Sequence, residues 1–297
     1  MFLEISSKGK NNKRMKIETS KNPRNYHSPL RYPGGKTSLL PFFEKIIEEH
    51  DLEKITYIEP FAGGAGAALG LLFADKVEKI VINDLDKAIY SFWLSVVHES
   101  EKFIRKIYST PITITEWKKQ RETYRNPKSE TFKLGFATFF LNRTNVSGIL
   151  DGGPIGGLDQ KGEWKIDARF NKKCLIAKIR RIALQKNRIS VSRKDGLQLI
   201  EQYLNKKNTF IYLDPPYYEK GATLYLNHYQ KKDHEALARK LNKNKDSFWL
   251  LTYDNKQKIK SLYPARKIVG FSLRYNAYES RKGREIMILS DAFAKSV

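Results

Sequence analysis

The chain has almost no cysteine and no long apolar run, and each scarcity removes a class of protein. A single cysteine, Cys174, cannot form an internal disulfide. The five histidines fall in neither an HExxH arrangement nor a Cys/His spacing suited to zinc, so no metal centre is expected. No stretch approaches the roughly 20 apolar residues of a membrane span, and MFLEISSKGKNNKRMK at the N-terminus lacks the apolar core of a signal peptide. A cytoplasmic protein with no membrane partner is the expectation. Acidic residues are also scarce: 32 of them against 55 Lys and Arg leave a formal charge of +23. Such a field concentrates polyanions and favours nucleic acid as a partner. The competing reading is a Lys-rich surface that merely solvates the chain.

With 297 residues, 40% of them apolar, the chain can bury a large core with room for an inserted region. Residues 1–25 carry seven basic and two acidic side chains with little apolar periodicity, and read as a disordered or loosely docked tail. From Ile55 onward, apolar or β-branched runs alternate with helical ones: ITYIEP, KIVINDLD, NRISVSR, NTFIYLDPP, SFWLLTYD, RKIVGFSL and REIMILS. Amphipathic helices are expected in TSLLPFFEKIIEEH, GLQLIEQYL and DHEALARKL, the last capped by Asp233. This rhythm predicts an α/β domain over 26–91 and 188–297. It breaks between about Phe92 and Asn187, so 92–187 reads as a mostly helical insertion.

The first strand runs into EPFAGGAGAALGLLF, where Gly63, Gly64 and Gly66 mark a turn into a helix whose N-terminus offers free N–H groups. Leu69 stands where GxGxxG needs its third glycine, so a dinucleotide pyrophosphate fits poorly. Asp84 ends the next strand, eighteen residues after Gly66, where an acid can accept ribose hydroxyls. It can equally cap the helix that follows, a task Asp86 can share.

Asp214, Pro215, Pro216 and Tyr217 follow the apolar strand TFIYL. Two prolines stop the strand and remove two N–H donors, leaving a ledge that presents acceptors only. The exocyclic amine of a nucleobase is a poor nucleophile with two good donor hydrogens. Asp214 and the Pro215 carbonyl can each accept one, and Tyr217 supplies a face on which a flipped base can stack. A bare turn ending a strand is the alternative. An amino-methylase of adenine or cytosine, in DNA or RNA, satisfies this pattern. A non-enzymatic nucleic-acid-binding module explains the charge but not Gly63, Asp84 and Asp214 together, and an NAD oxidoreductase leaves the DPPY run idle.

Taken in order, SPLRYPGGK, EPFAGGAG, NDLD and DPPY resemble the motifs of the Dam-like family of DNA adenine methyltransferases, alpha class, from about Ser28 to Ser290. The resemblance implies a Rossmann-like sheet closed by a reversed hairpin, here RKIVGFSL and REIMILS. It implies S-adenosylmethionine as cofactor, held by Tyr32, Lys36, Glu59, Phe61, Ala62, Gly63, Gly64, Gly66, Asp84, Asp195 and Asp214. Asp214, Pro215, Pro216 and Tyr217 would be catalytic. The insertion would recognise duplex DNA, with Asn142, Arg143 and Asn145 reading bases, and a restriction endonuclease is a possible companion. Asn171 to Lys194 holds nine Lys or Arg and no acid, beside an apolar stripe, so Lys172, Lys173, Arg180 and Arg181 are expected to lie along phosphates.

Overall fold

The structure, a computed structural model, describes residues 2–3, 17–18, 27–31, 36–217, 229–274 and 282–294. Phe2–Leu3 (β1) pairs antiparallel with Ile17–Glu18 (β2). The rest of the 1–25 tail, and the expectation of disorder there, lies outside the described residues, as does Tyr32.

All seven expected strands form, as β3 (Thr56–Glu59), β4 (Lys79–Asn83), β5 (Ile189–Ser192), β6 (Thr209–Leu213), β7 (Trp249–Asp254), β8 (Lys267–Arg274) and β9 (Lys282–Leu289). They join one sheet in the order β5-β4-β3-β6-β7-β9-β8. The first five are parallel, whereas β9 runs antiparallel to both β7 and β8. This is the Rossmann-like sheet with its reversed hairpin. β6 and β7 are buried along their whole length, which is why TFIYL and WLLTYD read as continuous apolar runs rather than alternating ones. The chain winds outward from β3 to β4 and β5, then returns to β6 on the other side. The carboxyl ends of β3 and β6 therefore flank the switch point at which open α/β sheets bind ligands.

A 3-10 turn, Lys36–Leu39, leads into α1 (Leu40–Glu49), and α2 (Gly66–Phe73) follows β3. Gly66 and Gly70 make one smooth strip on α2. A Cβ at Gly66 would overlap the Thr37 hydroxyl, and one at Gly70 would lie 2.7 Å from a Leu40 methyl. The two glycines let the Lys36 turn lie directly on α2, so Gly66 is required by packing and not only by a ligand.

Between β4 and β5 the chain makes α3 (Lys87–His98), α4 (Ser100–Ser109), α5 (Ile114–Arg125), α6 (Thr131–Thr144) and α7 (Lys172–Ala183). These helices share an apolar cluster with Ile80 and Ile82 of β4, in which Phe103 meets Phe92 at 5.9 Å and Phe139 at 5.4 Å. After β5 come α8 (Gly196–Tyr203), α9 (Lys231–Lys243), α10 (Gln257–Ser261) and α11 (Asp291–Ala294). Asp233 is not the N-cap of α9. Gln230 is, and Asp233 stands in the first turn, accepting the Gln230 N–H at 2.8 Å in a capping box. Among the described residues no helix is long and apolar enough to cross a membrane.

α6 crosses α3 at Gly135, where a Cβ would overlap the Ser91 carbonyl oxygen. Gly135→Ala gains about 1 kcal/mol of helix propensity but drives α6 off a main-chain neighbour, an overpacking cost at the upper end of about 1–3 kcal/mol. A lower thermal-melt midpoint than wild type is expected, and an unchanged or raised midpoint would refute the close crossing.

Candidate active site

The glycine turn after β3 is fixed from three directions. Gly63 takes a left-handed φ of 46°, as does Ala65 at 45°, a conformation that favours glycine at the first position and strains the backbone at the second. The Gly63 N–H donates to Asp84 Oδ2 at 2.9 Å, and Trp93 Nε1 of α3 donates to the Gly63 carbonyl at 2.8 Å. Ala62 N–H bonds the Asn83 carbonyl, and Gly64 is buried in the same turn. Asp84 Oδ1 accepts the Asp86 N–H at 3.0 Å. Burial pushes the Asp84 carboxyl up to about 7, against the opposing pull of these two N–H bonds. Asp86, not Asp84, caps α3 through the Ala88 N–H. The two acids of NDLD thus divide the work, and Asp84 is left facing the turn.

Asn83, which the sequence reading passed over, is fully buried and uses both ends of its amide. Its Nδ2 donates to the carbonyls of Pro60 and Lys194, and its Oδ1 accepts from Ser192 Oγ and the Lys194 N–H. It stitches the loops after β3 and β5 together around Asp84. Asp195 caps α8 by accepting the Leu197 and Gln198 N–H groups. Gly196 leaves room for the Phe61 ring, which meets Tyr229 edge-on at 5.5 Å. Glu59 departs from its expected ligand role. It is buried, and its Oε1 accepts the Ala68 N–H of α2 at 3.0 Å and the Tyr57 hydroxyl. It anchors the helix behind the turn.

On the β6 side, Lys36 reaches across from the N-terminal motif. Its Nζ donates to Asp214 Oδ2 and to the Tyr217 hydroxyl, each at 2.8 Å, and stands 3.8 Å from Glu285 Oε2. The Tyr217 hydroxyl donates to Glu285 Oε1 at 2.7 Å. Thr252 Oγ1 donates to Asp214 Oδ1 at 2.9 Å and contacts the Tyr212 hydroxyl. Burial and the Asp214 charge push Glu285 up to about 7, while Lys36 pulls it down. Pro215 is buried, whereas Pro216, Asp214 and Tyr217 keep partial exposure. Lys36, Asp214 and Tyr217 are therefore brought together, with Thr252 and Glu285 as partners that sequence reasoning missed. A lone acid in the apolar run EIMIL was the available signal for Glu285.

The expected DNA-reading residues behave differently from that expectation. Asn142 is buried: its Oδ1 accepts the Arg31 N–H, and its Nδ2 donates to the Arg31 and Gly148 carbonyls. Asn145 is buried too, accepting from Trp117 Nε1 and donating to the Ile149 and Leu150 carbonyls. Neither side chain is placed to read a base, because its polar atoms already serve backbone and indole groups. Arg143 is different: its Nε is buried with no hydrogen-bond partner among the described residues. Desolvation, then the charges of Arg31 and Arg169, push its guanidinium down to about 10. On α7, Lys172 donates to the Tyr108 and Thr110 carbonyls, and Arg181 lies 4.0 Å over the Phe73 ring. Lys172 is thus committed to backbone carbonyls, whereas Arg181 stays exposed. Lys173 and Arg180 are exposed, Arg180 lining a groove with Lys102, Arg105 and Tyr108.

A sheet of this topology, carrying a glycine turn, a facing acid and a DPPY ledge at its switch point, defines a Rossmann-like methyltransferase. Residues 32–277 match the family model described as D12 class N6 adenine-specific DNA methyltransferase. The chain is also 23% identical over 222 residues to the type II methyltransferase M.MjaIII of Methanocaldococcus jannaschii, covering 69% of this chain and 73% of that protein. The chain belongs to the D12 class of N6 adenine-specific DNA methyltransferases, and site-specific methylation of adenine in DNA is its activity.

Glu59 carries a measurable signature. Burial raises its carboxyl from 4.5 to about 8, so the folded chain keeps a proton that the unfolded chain releases between those values. Its contribution is present in full at low pH and is lost as pH rises toward 8. Urea denaturation should therefore show wild-type stability falling more steeply than that of Glu59→Gln between about pH 5 and 8. Parallel slopes would refute the buried proton.

Proposed function

We propose that the methyl donor is S-adenosylmethionine and that the acceptor is an adenine swung out of duplex DNA onto the Asp214–Tyr217 ledge. The observation that carries this reading is the convergence of Lys36, Asp214 and Tyr217 beside the glycine turn. The cradle suits the cofactor. Gly63 and Ala65 are left-handed, the α2 N-terminus opens into the turn, and Asp84 keeps acceptor capacity on both oxygens for ribose hydroxyls. Lys36, Phe61, Gly63, Gly64, Asp84 and Asp195 would hold it, and when bound it supplies an electrophilic methyl group on sulfur.

Asp214 and the Pro215 carbonyl accept the two amine hydrogens of adenine, which turns the nitrogen lone pair toward the methyl group. Lys36 and Thr252 fix the Asp214 carboxylate, one on each oxygen, so that it does not rotate away. Tyr217 offers its ring to the extruded base, offsetting part of the stacking lost from the duplex. The DNA-facing elements are the loop that follows α6 and the cations beside it. Asn142 and Asn145 hold that loop, and it exposes Val146, Ile149, Leu158 and Trp164. Arg143 seats a phosphate. A restriction endonuclease partner, suggested by the relative's type II name, and a cytoplasmic location complete the reading.

The test is to methylate duplex DNA with the purified protein, digest it to nucleosides and identify the product. N6-methyl-2′-deoxyadenosine is expected, and N4-methyl-2′-deoxycytidine alone would overturn the base assignment. Asp214→Ala should lower the rate by about 100- to 1,000-fold while the circular dichroism spectrum shows that the fold is kept. A variant keeping half the wild-type rate would exclude Asp214 from the chemistry.

The revised DNA face separates two cations that look alike in sequence. Arg143→Gln should weaken binding to every duplex and reduce the slope of log affinity against log salt by about 0.9. Lys172→Gln should leave that slope unchanged, because its ammonium is spent on two carbonyls. The opposite pattern in a salt titration would restore α7 as the phosphate-binding element.

A further inference from the structure

Glu285 lies at the centre of β9, opposite Asp254 of β7 and Phe271 of β8, and is 2% exposed. A carboxylate buried in an apolar strand is costly unless it is paired, and the hairpin itself offers it no cation in register. Its partners come from the catalytic ledge. Oε1 accepts the Tyr217 hydroxyl at 2.7 Å, and Oε2 faces Lys36 Nζ at 3.8 Å with no hydrogen-bond donor among the described residues. The phenol oxygen in turn accepts from Lys36 at 2.8 Å. The donor and acceptor functions of that hydroxyl are both engaged by buried groups, which pins the tip of the ring.

We propose that Glu285 is a positioning residue for methyl transfer: by holding the Tyr217 hydroxyl it presets the ring against which the flipped adenine stacks. This rests on the stacking role given to Tyr217 above. A phenol tied at its tip loses the rotation about χ1 that would let it swing out of the site, so the cost of ordering the ring is met during folding rather than at each turnover. Glu285 acts on the base only through Tyr217, and it shares Lys36 with Asp214. Removing it therefore loosens the ring, which keeps only its bond to Lys36, while leaving the Asp214–Lys36 pair in place.

The experiment uses the full-length protein and a duplex containing the site it methylates, found by single-molecule sequencing of methylated DNA. Glu285→Ala deletes the Tyr217–Glu285 hydrogen bond from one end, and Tyr217→Phe deletes it from the other together with the Lys36–Tyr217 bond. Each should lower kcat by about 10- to 100-fold, the range for a hydrogen bond to a charged group, with little change in KM for DNA. The double variant should be no slower than the worse single variant. Glu285→Gln keeps an acceptor for the phenol and should recover most of the rate. With 2-aminopurine at the target position, Glu285→Ala should show a larger unquenched fluorescence component than wild type, because the extruded base meets a ring held only by Lys36. Should Glu285→Ala fail to fold, Tyr217→Phe still decides: full kcat in that variant overturns the proposal. Independent, multiplying losses in the double variant overturn it as well. Tyr217→Ala separates the two levels. If it retains wild-type kcat, the stacking reading itself is wrong; if it is inactive while Glu285→Ala and Tyr217→Phe are normal, only the role of Glu285 falls.

Discussion

A single ammonium group, Lys36 Nζ, is the joint on which the site depends. It is buried and lies among a carboxylate after β6, a phenol directly after the two prolines and a second carboxylate on β9. A buried charge must be compensated, and the compensation here comes from segments 178 to 249 residues away in the chain. The constraint propagates outward. Lys36 reaches Asp214 only because its turn lies flat on α2, which in turn needs Gly66 and Gly70. Glu285 reaches Tyr217 only because β9 inserts antiparallel beside β7, so the reversed hairpin delivers a catalytic-site partner as well as closing the sheet.

Around this charged joint, the loops are held by neutral amides. Loops at strand and helix ends carry backbone groups with no ladder partner, and each must be satisfied if buried. Asn83, Asn142 and Asn145 do this, each donating twice and accepting at least once. Asparagine suits the task because it offers donors and an acceptor on a short, uncharged side chain. Asn142 matters most for communication: it grips Arg31 on both backbone atoms, tying the N-terminal motif to the end of α6. The segment before Lys36 and the loop after α6 are thereby anchored to the same side chain.

The sheet was legible because buried parallel strands leave unbroken apolar runs, and because DPPY and the glycine turn are local. Asp84 could not be separated from Asp86 as a cap until the Gly63 bond was seen. The misreadings have a common cause. Asn142 and Asn145 look like surface polar residues after a helix, and nothing local reveals that the Arg31 backbone, 111 residues earlier, takes up the first of them. Glu59 sits in the glycine motif but points behind it, toward α2. The cap of α9 falls three residues before Asp233 because Gln230, an uncommon cap, begins the helix. Glu285 was invisible for the same long-range reason: its partners lie on other elements, and only the oddity of an acid in EIMIL marks it.

The charge of the chain carries a related lesson about how a count of cations converts into contacts. Lys172 and Lys178 spend their ammonium groups on carbonyls, Arg188 is held by Glu78 and Asp75, and Arg181 covers an aromatic ring. These groups still add to the long-range field that draws a polyanion in, but a cation bound to the protein's own backbone must break that bond before it can grip a phosphate. A fixed phosphate contact is better made by a cation that folding has desolvated without supplying an acid. Among the described residues Arg143 meets that condition, crowded by Arg31 and Arg169, with its Nε buried and without a hydrogen-bond partner there. An anion at that point would relieve a repulsion that already exists in the free protein. The +23 charge therefore bears on how quickly a polyanion arrives and not on where it is held.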